Sequence, residues 1–580
     1  MLLLIQSVLM DLLEELISAA RCEMEVDCLL EGAEIVNTLS GELYRADVAV
    51  HKGRVVGFDC CSAGVVLDLK GAVLSPGFVD GHVHIESAMV TVPEYARAVV
   101  PRGTTTVVID PHEIANVLGI EGIRYMLDSS RNLPLNVYAM LPSCVPATDM
   151  ETSGAVLDAD ALSGLIKDKR VLGLAEMMNY PGVIFRDPEV LKKIKLAEEK
   201  LIDGHAPKLT GRGLFAYVSA GIRSDHECSS LEEAEEKLRL GMYIMIREGS
   251  AAKNLLDILP LVTPLNAGQF LFVSDDRHPA DILQEGHIDF MVRTAVSHGL
   301  GPILAIRIAS LNAARYFGLR NLGAIAPGYR ADIVVLDGLD SLNVVKVIKD
   351  GKLVAKECHL TAPLSSFPSP KGASMKIKIL DAGSFAFKSE HSLARIIGII
   401  PDQIITKSLS LPPKVDNSWV VADTHRDILK MAVVERHKAT GNIGLGLVQG
   451  FGLQAGAMAT SVAHDSHNIV TVGVSEEDML TAVLKVKEMG GGLVIANEGQ
   501  ITSSLALPIA GLLSEKSMLE VADGIRQCTE SAQDLGCDLK DPFMTLSFLS
   551  LPVIPELKLT DKGLVDVTKF KFVPLFMEHA

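Results

Sequence analysis

The segment Phe78-Val79-Asp80-Gly81-His82-Val83-His84 constrains this chain more than any other. Ala72-Val73-Leu74 and Phe78-Val79 read as a buried strand, and two histidines one residue apart follow where it runs out. Side chains alternate along a strand, so both imidazoles face one side and can reach one metal ion. The end of a strand is also where a barrel enzyme keeps its chemistry. A His-x-His pair is common by chance, so its weight depends on what the rest of the chain adds.

The chain has 580 residues, too many for one core, and two or three domains are expected. Hydrophobic residues at 48% with charged residues at 22% describe a globular chain rather than a disordered one. A net charge of -18 argues against a nucleic-acid partner and leaves room for a small-molecule substrate. The nine cysteines are scattered and form no Cys-x-x-Cys, so neither a zinc ribbon nor a secreted disulfide framework is expected. A reducing cytoplasm is the simplest compartment. The opening Met1-Leu2-Leu3-Leu4-Ile5 lacks a basic start and is soon interrupted by Asp11, Glu14 and Glu15. The spacing of Leu4, Val8, Leu12, Leu13 and Ile17 predicts an amphipathic helix docked on the body or on a neighbouring subunit. No stretch has the apolar length of a membrane span, and no membrane partner is expected.

Ala46–Val50, a turn at His51-Lys52-Gly53-Arg54, and Val55–Phe58 form a hairpin pattern. A matching pattern recurs at 331–336, 344–348 and 353–354, with Asp350-Gly351 at its turn. The two stretches read as halves of one small β-domain split by a long insertion. Within the insertion eight strand candidates alternate with helical patterns: 73–84, 104–110, 135–141, 171–176, 201–205, 221–226, 242–246 and 270–275. Such alternation predicts an α/β fold, a (β/α)₈ barrel of parallel strands. The expected organisation is an N-terminal helix (1–24), a split β-domain (25–72 and 324–358), the barrel (73–323), a Pro/Ser-bearing linker (360–374) and an α+β C-terminal domain (375–580).

Several strand candidates end in residues that ligate metals. Strand one gives His82 and His84, strand four Glu176, strand five His205, strand six His226 and strand eight Asp275. Singly, each has a plain reading: a turn histidine, a helix-start acid for Glu176, an N-cap for Asp275. Jointly they would converge on one barrel mouth. Four imidazoles and two carboxylates suffice for two divalent ions that lower the pKa of bound water. The donor set suits zinc, iron or manganese without ranking them.

These positions resemble the amidohydrolase superfamily, and longer strings resemble its adenine deaminases. The strings are Asp80–Ser87, Asp110-Pro111-His112-Glu113-Ile114-Ala115-Asn116, Ala175–Gly182, Asp203–Pro207, Asp275–Pro279 and, in the tail, Ala463–Asn468. The resemblance covers nearly the whole chain except the N-terminal helix. It implies a metal-dependent hydrolase barrel with His82, His84, Glu176, His205, His226 and Asp275 as ligands of two divalent ions, manganese or iron favoured and zinc admissible. Many two-metal members bridge their ions with a carbamylated lysine after strand four. Glu176 stands there instead, which weakens a dihydroorotase- or hydantoinase-like reading.

The implied activity is hydrolytic deamination of adenine to hypoxanthine and ammonia by a metal-activated hydroxide, with a place in purine salvage. Asp275 is the candidate general base. Ring nitrogen N1 needs a proton as C6 is attacked. Glu86, Glu113, Glu227 and His112 are candidates for ring contacts or proton delivery, with Glu227 favoured because it adjoins His226. The alternatives are a cyclic-amide hydrolase and a non-catalytic barrel scaffold. Adenine is the expected partner, and a homo-oligomer is expected. In the tail, His464-Asp465-Ser466-His467 reads as a turn or interface motif. Gly444–Gln449 misses the dinucleotide fingerprint, so no nucleotide cofactor is expected.

Overall fold

Strands from before and after the barrel share one sheet. A computed structural model describes residues 2–59, 62–365, 367–370, 375–401 and 403–577. Cys60, Cys61 and part of the expected linker (366 and 371–374) lie outside the described residues. In the shared sheet, Val73–Pro76 pairs parallel with Val26–Asn37 on one edge and antiparallel with Ile333–Leu336 on the other. The hairpin Glu42–His51/Arg54–Phe58 turns on Lys52 and Gly53, at φ 47° and 72°. Asp350 and Gly351, at φ 49° and 75°, turn the other half's hairpin between Val344–Lys349 and Lys352–Lys356. Two consecutive left-handed residues match the twist of the paired strands, which is why each turn ends in glycine.

The helix Leu2–Ala20 packs its C-terminal part on this sheet. Ala19 is fully buried with Val26, Ala49 and Val56, and Glu15 lies 3.0 Å from the His51 ring. The docking residues are Leu16 and Ala19, while Leu13 and Ile17 from the expected stripe remain exposed.

The first strand candidate, 73–84, is two strands. Pro76-Gly77 breaks it, sending Val73–Pro76 to the shared sheet and Phe78–Val83 to the barrel. A Cβ on Gly77 would meet the Thr105 side chain at 2.1 Å, so only glycine passes here. Barrel strands one to eight are Phe78–Val83, Thr104–Ile109, Asn136–Leu141, Val171–Met177, Leu201–Gly204, Ser224–Asp225, Tyr243–Arg247 and Phe270–Val273. Strands one to five pair in parallel in chain order, as do six to eight. Two contacts close the ring. Arg223 N–H donates to the Ile202 carbonyl at 3.1 Å between strands five and six, and Val83 bridges Asp275 between strands one and eight.

Val79, Val108, Met140, Ala175, Met245 and Leu271 fill the barrel interior with Tyr316 and Phe317. The alternate positions, such as Val107 and Ile109, pack against the surrounding helices. Gly81 belongs to this packing, since a Cβ there would sit 2.3 Å from Leu271.

The C-terminal part is built on a sheet ordered Thr406–Leu411, Leu393–Ile399, Ile443–Gln449, Ile428–Val434, Ile469–Gly473, Ala457–Thr460, Gly492–Asn497, Gln500–Ala506. Helices Glu476–Glu488 and Met518–Asp534 pack on it. It lies against the loops at the C-terminal ends of the barrel strands. Ser514 N–H donates to the Met89 carbonyl at 2.8 Å, His278 lies 3.1 Å from Asp541, and Thr560 Oγ1 donates to the Met150 carbonyl at 2.7 Å. Among the described residues no helix is long and apolar enough to cross a membrane.

Candidate metal centre

Strand one pairs with strand two through a register shift between Asp80 and Val83, and beyond it His82 and His84 reach the barrel mouth. Their Nε2 atoms lie 3.2 Å apart. The Asp110 carbonyl, 3.0 Å from His84 Nδ1, takes that proton and leaves Nε2 as a lone-pair donor. Asp80 anchors the strand below: its carboxylate accepts from the Ser274 backbone N–H at 3.1 Å and lies 3.1 Å from His287. Strands one and eight are thereby tied directly beneath the site.

Asp275 follows strand eight with its backbone in the left-handed region, φ 54°. Few residues other than glycine accept this, and aspartate is among them. The turn brings Asp275 Oδ1 to 3.1 Å from His84 Nε2 and 3.5 Å from His82 Nε2.

Glu176, at the end of strand four, divides its two oxygens between two histidine pairs. Oε1 lies 3.5 Å from His84 and 3.8 Å from His82. Oε2 lies 2.6 Å from His205 Nδ1 and 3.2 Å from His226 Nε2. The second pair face each other at 3.3 Å. Imidazole nitrogens this close can share a cation, and one carboxylate oxygen per pair is where a bridging ligand would stand. The donors are all imidazole and carboxylate, which fits divalent zinc, iron or manganese. All six expected ligands thus converge. Five are buried, and His205 keeps 24% of its side chain exposed, marking the rim.

Charge is tightly managed here. Burial alone would raise Glu176 and Asp275. The His205 imidazole outweighs it at Glu176, and the Arg247 guanidinium with His82 and His84 outweighs it at Asp275, so both carboxyls stay well below their usual range. Arg247, at the end of strand seven, is a residue that sequence reasoning missed. One of its terminal nitrogens donates to Asp275 Oδ2 at 2.8 Å and also to Glu227. Glu227 Oε1 lies 3.6 Å from His226 and 3.8 Å from His205. Glu227 is buried, yet the Arg247 guanidinium keeps its pKa below the ordinary value. Glu86 behaves oppositely. Burial pushes it up to about 7, one oxygen accepts from Ile114 N–H at 3.1 Å, and the other has no hydrogen-bond partner among the described residues.

His112 and Glu113, on the helix after strand two, sit beside the centre. His112 Nδ1 lies 3.0 Å from Asp110 and 3.5 Å from Glu176 Oε1, and its Nε2 lies 3.3 Å from Glu113. Glu113 is held by His464 and His467 of the tail. Their motif is therefore an interface with the barrel mouth.

Comparison with known proteins follows the same outline. Residues 73–354 match the amidohydrolase family and residues 403–571 the adenine deaminase C-terminal domain. The chain is 52% identical to the adenine deaminase of Methanothrix thermoacetophila over 98% of its own length and 100% of that protein. The chain belongs to the adenine deaminase family. Other members are similarly near: the adenine deaminase of Desulfatibacillum aliphaticivorans is 51% identical, covering 97% of this chain and 99% of that one. Adenine deaminase 2 of Carboxydothermus hydrogenoformans is 50% identical over the same shares. Adenine deaminase membership thus extends through the barrel and the tail together.

Proposed function

We propose that this chain hydrolyses adenine to hypoxanthine and ammonia at a centre formed by His82, His84, His205, His226, Glu176 and Asp275. The observation that carries this reading is Glu176 offering one oxygen to each histidine pair, in a chain about half identical to adenine deaminases over their full length. A pair of divalent ions, manganese or iron, would act there as Lewis acids and lower the pKa of water. Water adds its oxygen to C6 of the purine, and the bond from C6 to the exocyclic nitrogen breaks.

Asp275, held ionised by Arg247, takes the proton from the attacking water and delivers it to the departing amine. Glu227 stays ionised beside His205 and His226 and accepts a hydrogen bond from the substrate. Burial raises Glu86 to about 7, so it is the carboxyl suited to lend ring nitrogen N1 a proton, and the second proton of the attacking water restores it as the C6 carbonyl forms. Free adenine is the proposed small-molecule substrate, with water as the second reactant, and a reducing cytoplasm is the proposed compartment.

The test is ammonia release from adenine, adenosine, guanine and cytosine, with dihydroorotate and hydantoin as cyclic amides. Enzyme stripped of metal and reloaded with manganese, iron or zinc should act on adenine first among these. Hydrolysis of a cyclic amide with no ammonia from adenine would overturn the proposal.

A further inference from the structure

The tail loop Ala463–Asn468 reaches the helix after barrel strand two and takes both oxygens of a single buried carboxylate. His464 Nδ1 bonds Glu113 Oε1 and His467 Nε2 bonds Glu113 Oε2. The tautomer of His467 is fixed, because the Ala463 backbone N–H donates to its Nδ1 at 3.1 Å. Its own proton therefore sits on Nε2 and points at Glu113.

The loop is firmly built. Arg436 donates to the His467 carbonyl, and His437 Nε2 donates to the Ser466 carbonyl at 2.7 Å. Asn468 Nδ2 crosses to the Thr152 carbonyl of the barrel at 2.8 Å. The His464 ring stacks on Phe548 with centroids 4.6 Å apart and planes at 16°. Two histidines held this rigidly both meet Glu113.

Glu113 in turn faces His112 Nε2 at 3.3 Å, and Asp110 faces the opposite nitrogen of that ring at 3.0 Å. The His112 ring is thus clamped between two carboxylates, 3.5 Å from the Glu176 oxygen that serves the His82 and His84 pair. A line of polar contacts runs from the tail to the bridging carboxylate.

We propose that His464 and His467 are positioning residues for deamination: they fix Glu113, and Glu113 with Asp110 fixes the His112 ring against Glu176. This rests on the deaminase reading above. Without the loop, Glu113 loses two charge-assisted hydrogen bonds and His112 loses one of its two anchors. A displacement of about 1 Å in a catalytic constellation costs on the order of 100-fold in rate. The tail is then a working part of the site rather than a separate appendage.

The experiment uses the full-length, metal-loaded enzyme. His464→Asn places an amide N–H near the position of Nδ1, and His467→Gln places one near Nε2. His464→Leu and His467→Leu supply none. The leucine variants should lose about 10- to 100-fold in kcat, with KM within a few-fold and the metal content unchanged. The Asn and Gln variants should recover most of that loss. In a double-mutant cycle, Glu113→Gln with His467→Leu should be no worse than Glu113→Gln alone. Melting temperatures separate these effects from a failure to fold.

Leucine variants as active as the parent, no recovery in the amide variants, or additive losses in the cycle would overturn the proposal. So would loss of a metal equivalent with the loop variants. That result would make the loop a ligand-bearing element, because Asp465 also lies within ligand range of His112 and Glu113. A parent enzyme inactive on adenine overturns the deaminase reading and this proposal with it. An active parent with unaffected leucine variants overturns this proposal alone.

Discussion

Arg247 donates to Asp275 Oδ2 at 2.8 Å, and the same nitrogen reaches Glu227. The ends of barrel strands six, seven and eight are thereby locked together by one buried cation. Removing it takes from the two carboxylates the guanidinium they share, a costly change in a buried site. Arg247→Met should lower kcat on the order of 100-fold while the metal content holds. Arg247→Lys should recover little, since a point charge on a flexible stem does not reproduce the guanidinium. Steady-state kinetics with metal analysis checks both, and a fully active Arg247→Met enzyme would dismiss the role.

Asp275→Asn should keep the fold and lose turnover. Asparagine accepts the φ of 54° as readily as aspartate, so the turn after strand eight survives. An amide cannot take a proton from water. Ammonia release should fall by at least about 10²-fold, the usual scale for a lost general base. Wild-type-like rates would refute the assignment.

Metal removal should destabilise the enzyme as well as silence it. His82 faces His84 at 3.2 Å and His205 faces His226 at 3.3 Å, contacts that a cation relieves. A metal at 100 times its dissociation constant adds about 2.7 kcal/mol to stability. Chelated enzyme should melt at lower temperature and recover on adding manganese or iron. Glu176→Ala should show the low melting temperature whether or not metal is supplied. An unchanged melting curve after chelation would count against a metal at this cluster.

Lys558, on the strand Leu557–Thr560 of the tail, is fully buried and donates to the Ile404 carbonyl at 2.9 Å. Burial lowers its pKa to about 7. Between pH 7 and the ordinary lysine value of 10.5, the unfolded chain binds a proton that the folded chain does not. Stability should therefore rise with pH across that window and be flat below it, by up to about 1.4 kcal/mol per pH unit. Lys558→Met should be more stable than the parent at pH 7 and should lose this rise. Thermal unfolding at pH 7 and 9.5 tests it, and equal slopes in parent and variant would contradict it.

The six candidate ligand positions were legible because each stands at or just past the end of a strand candidate, and a barrel brings such ends to one mouth. The eight strands were legible too, although strand six shrinks to Ser224–Asp225 and the first candidate divides at Pro76-Gly77. Arg247 escaped notice because arginine is not a metal ligand. Its signal was a lone cation at the end of Tyr243–Ile246, a place where a buried charge needs a partner. His464 and His467 were visible as a motif but not as neighbours of Glu113, more than 350 residues away. Chain order carries no information about which loops of two domains meet. The opposed behaviour of Glu227 and Glu86 was equally hidden, because it depends on whether a guanidinium or only burial surrounds each acid.

The sheet shared by Val73–Pro76 and Ile333–Leu336 has a consequence during synthesis. At about 5–20 residues per second, the earlier strand leaves the ribosome on the order of ten seconds or more before its later neighbour exists. During that interval one edge of Val73–Pro76 is an open template for any passing strand. The nascent chain has to keep that edge covered until the whole barrel has been translated.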